Sequence, residues 1–88
     1  MRLEIITPVN ILYSDEISLV QLPGMKGSFE ILKNHASIVS SLATGQIKVI
    51  DSNKKTHLFE IQGGVVECKS DNIIVLANEG NLVQENTN

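Results

Sequence analysis

The chain has 88 residues, 42% of them hydrophobic and 19% charged, and carries a net charge of −3 at neutral pH. That length falls below the common range for an independent enzyme domain, while a mean hydropathy of +0.08 provides for a core and argues against disorder. Seven scattered basic residues exclude a nucleic-acid or anionic-lipid surface, the single cysteine excludes an internal disulfide, and no run approaches a membrane span. The opening Met1–Pro8 lacks a signal peptide's basic-then-apolar layout, so a small acidic domain of a reducing compartment is expected.

Along the chain, apolar residues recur at strand spacing. Arg2-Leu3-Glu4-Ile5 alternates until Pro8, and residues 15–22 place Ile17 and Leu19 on one face before Pro23-Gly24. Phe29 and Ile31 sit two apart between Gly27 and Leu32. Ile47, Val49 and Ile50 follow in 46–51, then Leu58, Phe59 and Ile61 in 56–62. Residues 65–69 and 73–77 complete the set. Short β-branched segments separated by turn residues predict an all-β fold, an antiparallel sandwich or barrel. With only Tyr13, Phe29 and Phe59 aromatic, its core is aliphatic.

The connections agree. Asp51-Ser52-Asn53-Lys54-Lys55 reads as a polar hairpin loop, and Lys69-Ser70-Asp71-Asn72 as a tighter one, with Asp71 and Asn72 suited to positive φ. Gly63-Gly64 inside a strand pattern predicts a bulge or a close backbone approach. Pro8 and Pro23 fall at strand ends. The stretch from His35 to Thr44 is open between a helical turn and an extended segment: Ile38, Val39 and Leu42 have helical spacing, but Ser37, Ser40, Ser41 and Thr44 weaken it. From Asn78 the sequence turns polar. One domain is expected over residues 1–78, with a frayed polar tail over 79–88.

Groups for catalysis are few. His57, beside a charged turn, reads as an exposed surface imidazole, and Cys68, alternating with Val66, as a small core hydrophobe. No Cys/His spacing suits a metal. Pro23-Gly24-Met25-Lys26-Gly27 lacks the spacing of a phosphate-binding loop and precedes a strand, so it is a turn. No catalytic, metal or cofactor site is expected. The segment Met25 to Ser40 mixes an exposed methionine, two lysines, Glu30, Asn34 and His35 in a loop-rich region, which is where binding tends to lie on a rigid scaffold.

Those same residues carry a resemblance. Leu22-Pro23-Gly24, Gly27-Ser28-Phe29-Glu30-Ile31-Leu32-Lys33-Asn34-His35-Ala36, then Leu42 and Gly45-Gln46-Ile47, resemble the epsilon subunit of bacterial F-type ATP synthase. Gly63-Gly64-Val65-Val66-Glu67 and Asn72-Ile73-Ile74-Val75-Leu76-Ala77 match two further family blocks, in order. The resemblance runs from Arg2 to about Asn78. It implies a flattened antiparallel β-sandwich of about ten short strands, with His35 to Thr44 extended. It also implies a non-catalytic central-stalk subunit that binds the gamma subunit and the polar loops of the c-ring, and so couples ion translocation and rotation to ATP synthesis. Such a subunit is peripheral, on the cytoplasmic face of the bacterial inner membrane, with no nucleic-acid partner and no cofactor.

The ring-facing loop of the family falls on Met25, Lys26, Gly27 and Ser28, and positions near gamma and the ring fall on His35, Ala36 and Ser40. The departures are Lys33 and Ser37 in place of prolines and Glu30 in place of a glycine, which offers a carboxylate to the ring or gamma. Family members continue into a two-helix inhibitory hairpin, and a natural chain of this length is expected to lack that switch. Two other readings make different demands. A β-sandwich module of an unrelated complex would dock another partner on Met25 to Ser40. A small enzyme would need His35 or His57 to meet a carboxylate in a pocket.

Overall fold

The computed structural model describes residues 1–33 and 36–86. Seven strands follow in order: β1 (Arg2–Ile6), β2 (Ile11–Gly24), β3 (Gly27–Leu32), β4 (Ile38–Asp51), β5 (Thr56–Lys69), β6 (Asn72–Ala77) and β7 (Gly80–Asn86). Among the described residues there is no helix. From Ile38 onward the ambiguous stretch is strand, because pairing with β5 from Ile38↔Cys68 to Thr44↔Gln62 satisfies its backbone. Asn34 and His35 lie outside the described residues.

The strands close on themselves in the order β1-β6-β5-β4-β2, with β2 returning to β1; β3 extends from β2 and β7 from β5. Five strands in a ring cannot all alternate in direction. One pair must be parallel, and it is β1–β6, the exception to the expected antiparallel pairing. β2, β4 and β5 each run 14 residues and serve both layers of the sandwich. Early β2, β1, β6, late β5 and early β4 form one layer; β3, late β2, late β4, early β5 and β7 form the other. Seven continuous strands thus supply the ten short segments anticipated.

The bends fall where the sequence permits them. At Gly63 and Gly64 φ is +78° and +152°, and here β5 changes partner from β7 to β6. A Cβ on Gly64 would run into the carbonyl oxygen of Leu76 and lie 2.9 Å from the Cα of Ala77. The close approach anticipated for this pair is therefore real. In β2 the register against β4 slips between Ile17 and Leu19. This breaks the simple alternation: Ile17, Val20 and Leu22 are buried, whereas Leu19 is only half-buried.

The core is aliphatic around Phe59, with Leu3, Ile5, Leu22, Ile31, Ile47 and Ile61 fully enclosed. Burying Phe59 alone contributes about 2–3 kcal/mol. Cys68 lies in this core as expected, and its burial, followed by the negative charge of Asp71, pushes its thiol up. Residues 80–86 correct the reading of a frayed tail. Gly80, Asn81 and Leu82 pair with Ile61, Glu60 and Phe59 of β5, since that edge would otherwise leave its backbone groups unpaired. Leu82 and Val83 add apolar side chains that the polar composition around them obscures.

Both hairpin loops form as anticipated. In the β4–β5 loop Asp51 accepts from the backbone N–H of Asn53 at 2.8 Å and of Lys55 at 3.0 Å, while Lys54 adopts φ +66°. In the tighter loop, positive φ falls on Ser70 rather than on Asp71 or Asn72, because Asn72 already pairs with Lys69 as the first residue of β6.

Gly64→Ala should lower stability by about 3 kcal/mol, through strained φ and the collision with Leu76, as read by urea unfolding. Acid unfolding should report Asp51. The hydrogen bond from His57, then those from the loop backbone, holds its carboxyl below the usual aspartate range. Its contribution is therefore present above that range and is lost as pH falls through the lowered value. Asp51→Asn should flatten the acid limb of a stability-versus-pH profile; an unchanged limb would contradict this assignment.

Candidate functional site

The anticipated binding loop is the β2–β3 hairpin. Gly24 pairs with Gly27, so Met25 and Lys26 form a two-residue tip. Gly24 has no room for a Cβ: one would sit 2.6 Å from the Gly27 carbonyl and 2.9 Å from the Phe29 ring. Gly27, at φ +126°, completes the reversal. The hairpin also rests on β4, where a Cβ at Gly45 would lie 2.8 Å from that of Pro23. The glycines thus allow a tight projection seated on the sandwich, with a tip that presents its side chains to solvent.

Four of the expected contact residues come together. Met25, 68% exposed, lines with Lys26, Ser28 and Ser40 an open groove of about 520 Å³, whose wall includes the ring of Phe29. Met25, Lys26 and Ser28 are exposed, and Ser40 is half-buried on β4 with its hydroxyl donating weakly to the Ser41 carbonyl at 3.4 Å. Glu30 is exposed on β3, opposite Gln21, and does not line this groove. His35 lies outside the described residues. Sequence reading did not single out Phe29 and Ser41 as groove residues. The inward phase of Phe29 in β3 was visible, but the β4–hairpin neighbourhood that turns it into a groove wall is tertiary.

His57 corrects another expectation. Rather than an exposed imidazole, it is a largely covered side chain, 12% exposed, on β5. Its Nε2 lies 2.9 Å from Asp51 and its Nδ1 2.9 Å from Glu85. The Tyr13 ring leans on it at 5.2 Å between centroids and meets Phe59 edge-on at 5.7 Å. Burial, and then the charges of Asp15, Asp51 and Glu85, pushes the Tyr13 hydroxyl up to about 12. A histidine meeting a carboxylate is part of what the enzyme reading required. Here, however, both ring nitrogens are engaged by carboxylates, which leaves neither for proton transfer to a substrate.

The chain can now be set beside known proteins. Residues 1–82 match the family model described as ATP synthase, Delta/Epsilon chain, beta-sandwich domain. The ATP synthase epsilon chain of Campylobacter curvus is 37% identical over 87 residues, covering 99% of this chain and 67% of that protein. That of Chlorobium limicola is 33% identical over 78 residues, 89% of each. This chain therefore spans about two thirds of the Campylobacter relative and most of the Chlorobium one. Among solved structures, a chain of the Euglena gracilis mitochondrial ATP synthase (OSCP/F1/c-ring) superposes with a TM-score of 0.85 at 18% identity, covering 91% of this chain and 51% of that one. A chain of the Tetrahymena thermophila mitochondrial ATP synthase (central stalk/c-ring) does so at 0.73 and 17%, covering 91% and 64%. At those identities the superpositions speak for the fold alone, but the family model spans nearly all of the sequence. By that match and the epsilon-chain identities, the chain belongs to the ATP synthase delta/epsilon family, as its β-sandwich domain.

Proposed function

We propose that this protein is a non-catalytic central-stalk subunit of an F-type ATP synthase, which binds the gamma subunit and the c-ring and couples ion translocation and rotation to ATP synthesis. The observation that carries this reading is the family match over residues 1–82, together with a projecting hairpin on a two-layer sandwich. A coupling part must transmit torque without shearing. A ring of strands in which β2, β4 and β5 belong to both layers resists shear, because sliding one layer over the other would break continuous backbone ladders.

The contact surface we assign to the c-ring or gamma comprises Met25, Lys26 and Ser28 on the hairpin, Ser40 in the groove beside it, Glu30 on β3, and His35. Met25 offers an adaptable apolar contact, while Lys26 and Glu30 supply charges of opposite sign that would set register and approach. The protein works as a peripheral component on the cytoplasmic face of the bacterial inner membrane. The reading of an unrelated binding module has no observation in its favour, since the chain belongs to the delta/epsilon family over almost its whole length.

Copurification from native membranes should recover gamma and the c-ring with this chain. A cysteine introduced at Ser28 should crosslink to one placed in a c-ring polar loop, whereas a cysteine at exposed Lys54, in the β4–β5 loop, should not. Failure of both copurification and the Ser28 crosslink would remove the assignment. Lys26→Glu should slow association by roughly two- to tenfold at low salt, and the deficit should shrink at high salt. A salt-independent loss would instead mean that the hairpin had been deformed.

A further inference from the structure

His57 is placed between two carboxylates, and this arrangement has a chemical requirement. A neutral imidazole carries one N–H and one lone pair. It can donate to one carboxylate but must turn the lone pair on its other nitrogen toward the second. With Nε2 and Nδ1 each 2.9 Å from a carboxylate oxygen, both nitrogens are satisfied when both carry protons. We propose that protonated His57 is a pH-sensitive clasp that holds the end of β7 against the sandwich, and that loss of its proton releases Glu85 and loosens the strand from Val83 onward.

The two carboxylates are unequal, which decides where the clasp opens. Asp51 is buried and fixed by the N–H groups of Asn53 and Lys55. Glu85 is 51% exposed, and the imidazole is the hydrogen-bond partner the structure gives it among the described residues. A neutral ring keeps its one N–H on Nε2, toward Asp51, and Nδ1 then faces Glu85 as an acceptor facing an acceptor. Glu85 is free to turn to water.

The strand is built to part there. Leu58 pairs with Gln84 but Phe59 with Leu82, so Val83 is an extra residue that separates the Gly80–Leu82 ladder from the terminal pairs. The outer segment can leave without disturbing the inner one. The proton thus sets how much of β7 stays paired with β5.

Other groups around the ring reinforce negative charge there. From β2, Tyr13 covers the imidazole and stays un-ionised at any pH where histidine titrates, its hydroxyl being pushed up to about 12; Asp15 on the same strand adds a further negative charge near Tyr13. From β4, the residue opposite is uncharged Val49. Lys55 of the loop contributes its backbone N–H to Asp51. Because the clasped form carries the extra proton, it is favoured by acid and weakens as pH rises. The carboxylates must stay ionised, and Asp51, held below the usual aspartate range, does so well into acid.

The test is nitrogen-15 NMR of the whole chain between about pH 5.5 and 8. At the lower pH both ring nitrogens of His57 should show protonated shifts, and at the higher pH Nδ1 should be bare while Nε2 keeps its hydrogen. Over the same interval the amide exchange of Gln84 and Glu85, corrected for its intrinsic pH dependence, should speed up by about fivefold, while the β6 amides from Ile73 to Ala77 stay constant. Glu85→Gln should abolish the difference, because a carboxamide can accept from Nδ1–H or donate to bare Nδ1. A neutral ring at the lower pH, exchange at β7 that ignores pH, or an unchanged pH response in Glu85→Gln would each overturn the clasp.

Discussion

The β4–β5 hairpin is the spine on which the sheet of this domain is assembled. These two 14-residue strands pair from Ile38↔Cys68 to Ile50↔Thr56; their outer edges carry β2 on one side and β6 and then β7 on the other, and β1 and β3 join through β2 and β6. A straight hairpin of that length would be one long flat ribbon. Gly63 and Gly64 change that, since their positive φ angles let β5 pass from one layer to the other while keeping its partner. The two-layer core exists because that bend brings Val66 and Phe59, on either side of it, into the same buried cluster.

The same constraint explains the β2–β3 projection. β2 crosses between layers as well, slipping register against β4 beyond Ile17 and again before Gly24, which pairs with Leu42 just before the chain turns back at Met25-Lys26. Gly24 and Gly45 let the hairpin lie close against β4. A tip carried on continuous strands is stiffer than a free loop, which suits the contact role proposed for it. The groove between Met25, Ser28 and Ser40 is a product of that seating.

Around His57, residues from β2, the β4–β5 loop, β5 and β7 form a polar cluster. It ties together parts of the chain as distant as Tyr13 and Glu85. The loop end is fixed by three hydrogen bonds to Asp51, whereas the β7 end is fixed by one to Glu85. The contact surface proposed for the hairpin and this cluster belong to different elements and call on different chemistry, one of exposed side chains and the other of a histidine between two carboxylates.

Local pattern was enough for much of the fold. Alternation in Leu3-Glu4-Ile5 and in Phe29-Glu30-Ile31, the polar loop at 51–55 and the paired glycines at 63–64 all reflect forces between near neighbours in sequence, and each element lies where that pattern puts it. Met25 and Lys26 were legible as a turn for the same reason: Pro23-Gly24 and Gly27 around them favour a chain reversal. Tertiary structure alone decided the rest. The parallel β1–β6 pair follows from closing an odd ring. The polar residues after Asn78 became a strand because the β5 edge needed a partner. His57 turned inward because Asp51 and Glu85, six and 28 residues away, converge on it from other strands. A short sequence window records side-chain preference and turn chemistry. Which edges remain unpaired, and which charges meet, is settled only when distant segments compete for the same space.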